Sequence, residues 1–168
     1  MHIEFLENLL NQISVTGSEE NGQRVLREHM EQYADEIRTD EIGDVICVLN
    51  PESPVRIMLS AHADEIGLVV TRITEEGRIQ AIERGGMTHN YPGQKVQICT
   101  KKGIVYGVVE CSRELLKKET VKAADLLIDI GAVSKEDALQ HVSLGDTVVL
   151  DSGIRNLLHN RITARALD

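Results

Sequence analysis

Val55-Arg56-Ile57-Met58-Leu59-Ser60-Ala61-His62-Ala63-Asp64-Glu65-Ile66-Gly67 is apolar through its first half and polar at its centre. Residues 55–61 are nearly all apolar over the length of a strand, the pattern of a strand buried on both faces of a helix-covered sheet. Side chains alternate along an extended chain, so His62 and Asp64 share a face and Ala63 points away. Open α/β sheets bind ligands at the carboxyl ends of their strands. A His placed there can bind a metal through one ring nitrogen, and a nearby carboxylate can fix its tautomer. His-x-Asp is only three residues long and equally fits a loop His beside a solvated Asp. Glu65 points to the opposite side from Asp64, so the two acids cannot readily flank one glycosidic bond.

Working outward, Ile3, Leu6, Leu10 and Ile13 repeat at helical spacing and predict an amphipathic helix over 2–13. Ser14-Val15-Thr16-Gly17-Ser18 breaks it. Thr16 with Glu19, or Ser18 itself, can cap a second helix that carries Val25, Leu26, Met30 and Tyr33 on one face, to about Ala34. Residues 36–39 and 44–49 read as strands about Gly43, 50–54 as a turn, and 67–73 as a further strand. The texture then changes to short strands near 77–83, 94–100, 103–110, 126–130 and 146–150. Lys101-Lys102-Gly103 is a hairpin turn among them, and a short helix at 135–141 is capped by Ser134. Residues 161–168 read as a terminal strand. The chain therefore divides into an α/β part, 1–72 with 160–168, and a β-rich insert, 73–159. Two helices cannot cover both faces of the strand at 55–61, so the α/β part is expected to expose an apolar surface.

The chain has 168 residues, with 27 acids against 18 bases and a formal charge of −9. Apolar residues make up 42%, and with one Phe, three Tyr and no Trp the core must be aliphatic. The first 50 residues hold 11 acids and 3 bases, read as solvated helix faces and opposed to a nucleic-acid surface. No apolar run suits a membrane span, and Met1-His2-Ile3-Glu4 lacks the basic start of a secretory signal. Cys47, Cys99 and Cys111 form no Cys-x-x-Cys pattern. A reduced, cytoplasmic protein is expected, with Cys47 as a small core residue. There is no His-Glu-x-x-His, Gly-x-Ser-x-Gly or phosphate loop. Gly85-Gly86 reads as a turn, and His2, His29, His89, His141 and His159 have no partner pattern.

Five stretches, taken together and in order, carry a resemblance. They are Ser60-Ala61-His62-Ala63-Asp64-Glu65-Ile66-Gly67, Arg84-Gly85-Gly86, Ile128-Asp129-Ile130-Gly131-Ala132-Val133-Ser134, Leu144-Gly145-Asp146 and Ala164-Arg165-Ala166-Leu167-Asp168. The chain resembles, from Leu9 to Asp168, the N-terminal half of the co-catalytic metallo-aminopeptidases of the tetrahedral, glutamyl and deblocking type, some of which are labelled endoglucanase or cellulase. The resemblance implies a partial α/β aminopeptidase catalytic domain with an inserted PDZ-like or barrel-like β domain used for dimerisation and larger homo-oligomers. It implies two divalent metals, zinc or cobalt, and a peptide substrate. By position His62 resembles a terminal metal ligand, Asp64 the catalytic-site carboxylate that orients it, and Asp168 the carboxylate bridging both metals. The family's general-base Glu, its remaining ligands and most of its substrate pocket follow that position. This chain alone is therefore expected to be inactive. The alternatives are a non-catalytic oligomerisation module and, more weakly, an endoglucanase.

Overall fold

The computed structural model describes residues 3–85 and 91–167. Gly86, His2, His89 and Asp168, all named above, lie outside the described residues. Two helices open the chain, α1 (Ile3–Leu10) and α2 (Glu20–Met30), each ending a few residues short of its expected limit. Leu10, Ile13 and Val25 are buried, while Phe5 stacks on His29 with ring centroids 3.8 Å apart. The residue flanking α2 is Glu19, and no side chain caps the helix. Glu19 instead accepts the Gly17 amide, and the Thr16 hydroxyl is used elsewhere. β1 (Glu36–Thr39) and β2 (Val45–Val48) then form an antiparallel hairpin, tied to α2 by Gln23 Nε2 donating to Gly43 O over 2.7 Å.

The expected buried strand at 55–61 is not formed. Residues 56–64 belong to no ladder, and Val55, Ile57, Met58 and Leu59 are 69%, 83%, 87% and 94% exposed. The physical reason is the lack of a neighbour. β1 and β2 pair only with each other, and no described strand lies alongside 55–61 to take its backbone groups. An apolar run of this length is strand-like only inside a sheet. Here the run is exposed as unpaired chain, and not as the uncovered sheet face that was expected of the α/β part.

The β-rich region closes into a barrel. β3 (Gly67–Ile73), β4 (Ile79–Arg84), β5 (Lys95–Thr100), β6 (Gly103–Val109), β7 (Ile128–Asp129) and β8 (Thr147–Leu150) join in the order β3-β4-β7-β6-β5-β8. Every pairing is antiparallel. Period-two alternation explains the closure: Val96 and Ile98 face inward with Leu68, Ile79, Ile128 and Val148, and all six are fully buried. β3 is itself a stave, so the closed unit runs from Gly67 to Leu150. The texture change at residue 73 marks the end of its first strand. α3 (Arg113–Leu116) was not expected. α4 (Lys135–Leu139) was, and the Ser134 hydroxyl caps it by accepting from the Asp137 amide.

The terminal strand at 161–168 is also shorter than expected. β9 (Arg155–Leu157) and β10 (Arg161–Thr163) make a separate two-stranded ribbon. His159 and Asn160 turn it with φ of 59° and 55°, and Ala166 is left-handed at 58°. The expected α/β sheet is thus absent among the described residues. The architecture is a mixed α/β chain holding a closed six-stranded antiparallel barrel.

Candidate functional site

The linker between α1 and α2 runs beside residues 64 and 65. Val15 and Glu65 form a parallel bridge: the Glu65 amide donates to Ser14 O over 2.8 Å, and the Thr16 amide to Glu65 O over 3.2 Å. Alternation about this bridge sorts the side chains. Val15 and Glu65 turn inward, while Thr16 and Asp64 reach the solvent side.

On the solvent side, His62 Nδ1 lies 3.0 Å from Asp64 Oδ1 and 3.1 Å from Asp64 O. Both partners are acceptors, so Nδ1 is the donor, and in the neutral ring this tautomer leaves the lone pair on Nε2. The Thr16 hydroxyl donates to the other carboxylate oxygen, Asp64 Oδ2, over 2.6 Å. These bonds hold the Asp64 carboxyl below its ordinary value. The Thr16 hydroxyl has the largest effect, and burial opposes it. The His62 side chain is 67% exposed and that of Asp64 30%.

On the inner side, Glu65 Oε1 accepts the Ser14 amide over 3.2 Å, and Oε2 lies 3.5 Å from Arg165 Nε. Burial pushes the Glu65 carboxyl up, against the Arg165 charge and the Ser14 amide. The Tyr91 phenol is pushed up to about 12, first by burial and then by the Glu65 charge. Arg165 also donates to the carbonyls of Leu10, Asn11 and Gln12, which are left without helical donors at the end of α1.

The structure therefore brings His62 and Asp64 together, while Asp168 lies outside the described residues. Thr16, Glu65 and Arg165 were missed as parts of this arrangement. Thr16 was read as a cap, and Arg165 only as a member of the last motif. No local spacing marks either contact. Among the described residues no three His, Cys, Asp or Glu side chains converge as a metal-binding group. The donor set fits one imidazole ligand with its orienting carboxylate, and is short of a complete site.

The chain matches the model of the M42 glutamyl aminopeptidase family over residues 43–168, and it belongs to that family. It is 32% identical over 166 residues to a putative aminopeptidase of Acetivibrio thermocellus, covering 98% of this chain and 49% of that protein. The TET aminopeptidase of the marine sediment archaeon Thaumarchaeota archaeon SCGC AB-539-E09 superimposes with a TM-score of 0.89 at 31% identity, covering 99% of this chain and 49% of that one. The TET1 peptidase of Pyrococcus horikoshii gives a TM-score of 0.86 at 34% identity, covering 99% and 51%. That peptidase can assemble into a tetrahedron or a large octahedral shell. The chain thus spans about half the length of the relatives it matches.

Proposed function

We propose that this chain is the N-terminal part of a metallo-aminopeptidase that removes N-terminal residues from peptides. Family membership supports the reaction class. The observation that carries the site is the His62–Asp64 pair, with Nδ1 engaged and the Nε2 lone pair free for a metal in the neutral ring. In this reading His62 and Asp168 would be among the residues that hold two divalent metals, with Asp64 keeping the imidazole in its ligating tautomer. Bound zinc or cobalt would supply an activated water and polarise the scissile carbonyl. The general base and the other ligands belong to the half of the family's length that this chain does not span, so the chain alone does not turn over.

The partition into a partial catalytic domain, 1–72 with 160–168, and a β-rich insert, 73–159, is kept as a proposal, with the barrel drawing its first strand, β3, from the chain just ahead of the insert. The barrel is the proposed homo-oligomer surface. Ile104, Tyr106 and Val108 alternate along β6 and leave an exposed apolar row on its outer face. The same row supports the second reading, a non-catalytic oligomerisation module. An endoglucanase is disfavoured because Asp64 binds Thr16 outside while Glu65 faces Arg165 inside. A reduced, cytoplasmic setting is proposed from the three free cysteines. No described helix is long and apolar enough to cross a membrane.

The test is an aminopeptidase assay with added zinc or cobalt on two polypeptides. One is this chain; the other is a chimera joining it at Asp168 to the second half of the Pyrococcus horikoshii TET1 peptidase. The expected result is no turnover by the first, and turnover by the second that is lost on His62→Ala. Robust hydrolysis by this chain alone overturns the claim of inactivity. A folded, inactive chimera favours the oligomerisation module.

A further inference from the structure

We propose that Thr16 is a positioning residue, whose hydroxyl holds Asp64 so that Asp64 fixes the Nδ1–H tautomer of His62. Its relevance to metal binding rests on reading His62 as a ligand; the tautomer effect itself does not. A carboxylate turns easily about its last torsion, which is broad for Asp. One bond to His62 leaves it free to swing, especially at 30% exposure. A second bond on the other oxygen removes that freedom, and the 2.6 Å contact from Thr16 Oγ1 to Oδ2 supplies it.

Three further observations support this assignment. The placement of Thr16 is set by backbone, because its amide donates to Glu65 O and the Glu65 amide donates to Ser14 O. Thr16 and Asp64 therefore face each other across a bridged pair of segments. Val15 beside Thr16 is fully buried, and Glu65 beside Asp64 is buried against Arg165. A slip of one residue would bury the hydroxyl, so packing fixes the register. Finally, the hydroxyl that the sequence offers as a helix cap is withheld from that use. α2 has no side-chain cap, and Thr16 reaches Asp64 across the fold instead.

The experiment reads the imidazole nitrogens of His62 by long-range proton–nitrogen correlation NMR on the 168-residue chain, at a pH where the ring is neutral. The wild type is expected to show a protonated Nδ1 and a bare Nε2. Thr16→Val should lower the Nδ1–H to Nε2–H ratio about fivefold, the equivalent of one net hydrogen bond. Thr16→Ser should restore it. Thr16 is exposed and its backbone bonds survive both changes, which the amide spectrum verifies. Nitrogen shifts unchanged in Thr16→Val overturn the proposal, as does failure of Thr16→Ser to restore them. Zinc added to the TET1 chimera, whose second half would supply the remaining ligands, tests the ligand reading separately. If Nε2 does not respond to zinc there while the Thr16 effect stands, that reading fails and the positioning role survives.

Discussion

Arg165 Nε stands 3.5 Å from Glu65 Oε2, with the two side chains 9% and 5% exposed. That Nε is buried and has no hydrogen-bond partner among the described residues, while the other guanidinium nitrogens reach the carbonyls of Leu10, Asn11 and Gln12. One guanidinium thus joins the end of α1, the residue beside Asp64, and the final motif. The pair is charge-matched but loosely bonded, and its cost of burial is offset mainly by the carbonyls around it.

Arg165→Met is expected to lower unfolding stability by about 3–5 kcal/mol, because it strands a buried carboxylate and unties three helix-end carbonyls. Urea unfolding followed by circular dichroism measures this. Adding Glu65→Gln to Arg165→Met should recover part of the loss, since the stranded charge is then gone. A double variant no more stable than Arg165→Met would place the whole cost in the lost carbonyl contacts.

Glu65 also sets a pH dependence. Burial raises its carboxyl above the usual 4.5 in the folded state, with Arg165 opposing. Between the unfolded and folded values the folded chain holds more protons. The contribution to stability is therefore full below the unfolded value and is lost as pH rises through the folded one. Arg165→Met removes the opposing charge, so the folded value climbs further and the decline extends to higher pH. Urea midpoints taken across this range should show that extension, and adding Glu65→Gln should remove it.

The short strands of the β-rich region were legible because their evidence is local, whereas their closure into a barrel was not. Short strand-like runs at 94–100 and 103–110, a Lys-Lys-Gly turn between them, and Ser134 ahead of a helical run each fix one element within a few residues. Ser134→Ala should accordingly cost about 1 kcal/mol in urea unfolding, as the Asp137 amide loses its acceptor. His62 and Asp64 were legible for the same reason, being two positions apart. Thr16, Glu65 and Arg165 were not, since their contacts join segments distant in sequence and depend on how the chain returns to α1. The strand at 55–61 was misread because a continuous apolar run reports what a sheet would bury, whether or not the neighbouring strands are present.

Gly67 shows how closely the barrel is set against the linker. A Cβ added there would lie 2.6 Å from Val15 Cγ2 and 2.7 Å from Val148 O. The second neighbour is backbone of an adjoining stave and cannot move aside. Gly67→Ala should therefore destabilise the fold by about 1–3 kcal/mol through overpacking. It should also loosen the linker that carries Thr16, seen as faster amide exchange at Thr16 and Glu65. Unchanged exchange at those amides would mean that the strain is absorbed in β8 instead.

Residues 55–59 should behave as surface in this chain, despite their composition. Leu59 is 94% exposed and Ile57 83%, so replacing both with Ser removes no burial and should change stability by no more than about 0.5 kcal/mol. Ile98→Ala, inside the barrel, should cost about 2–5 kcal/mol. Self-association should respond in the opposite order. The four exposed apolar side chains present a patch that water solvates poorly, and the unpaired backbone beside them can accept another strand. Light scattering should report less association for the Ser variant at equal concentration, with Ile98→Ala giving no such relief. In the TET1 chimera the same two Ser substitutions should become destabilising by several kcal/mol, because a second half that completes the sheet would bury exactly these side chains. Equal tolerance in chain and chimera would show that the run is surface in both, and would remove the reason to regard it as a strand lacking its neighbours.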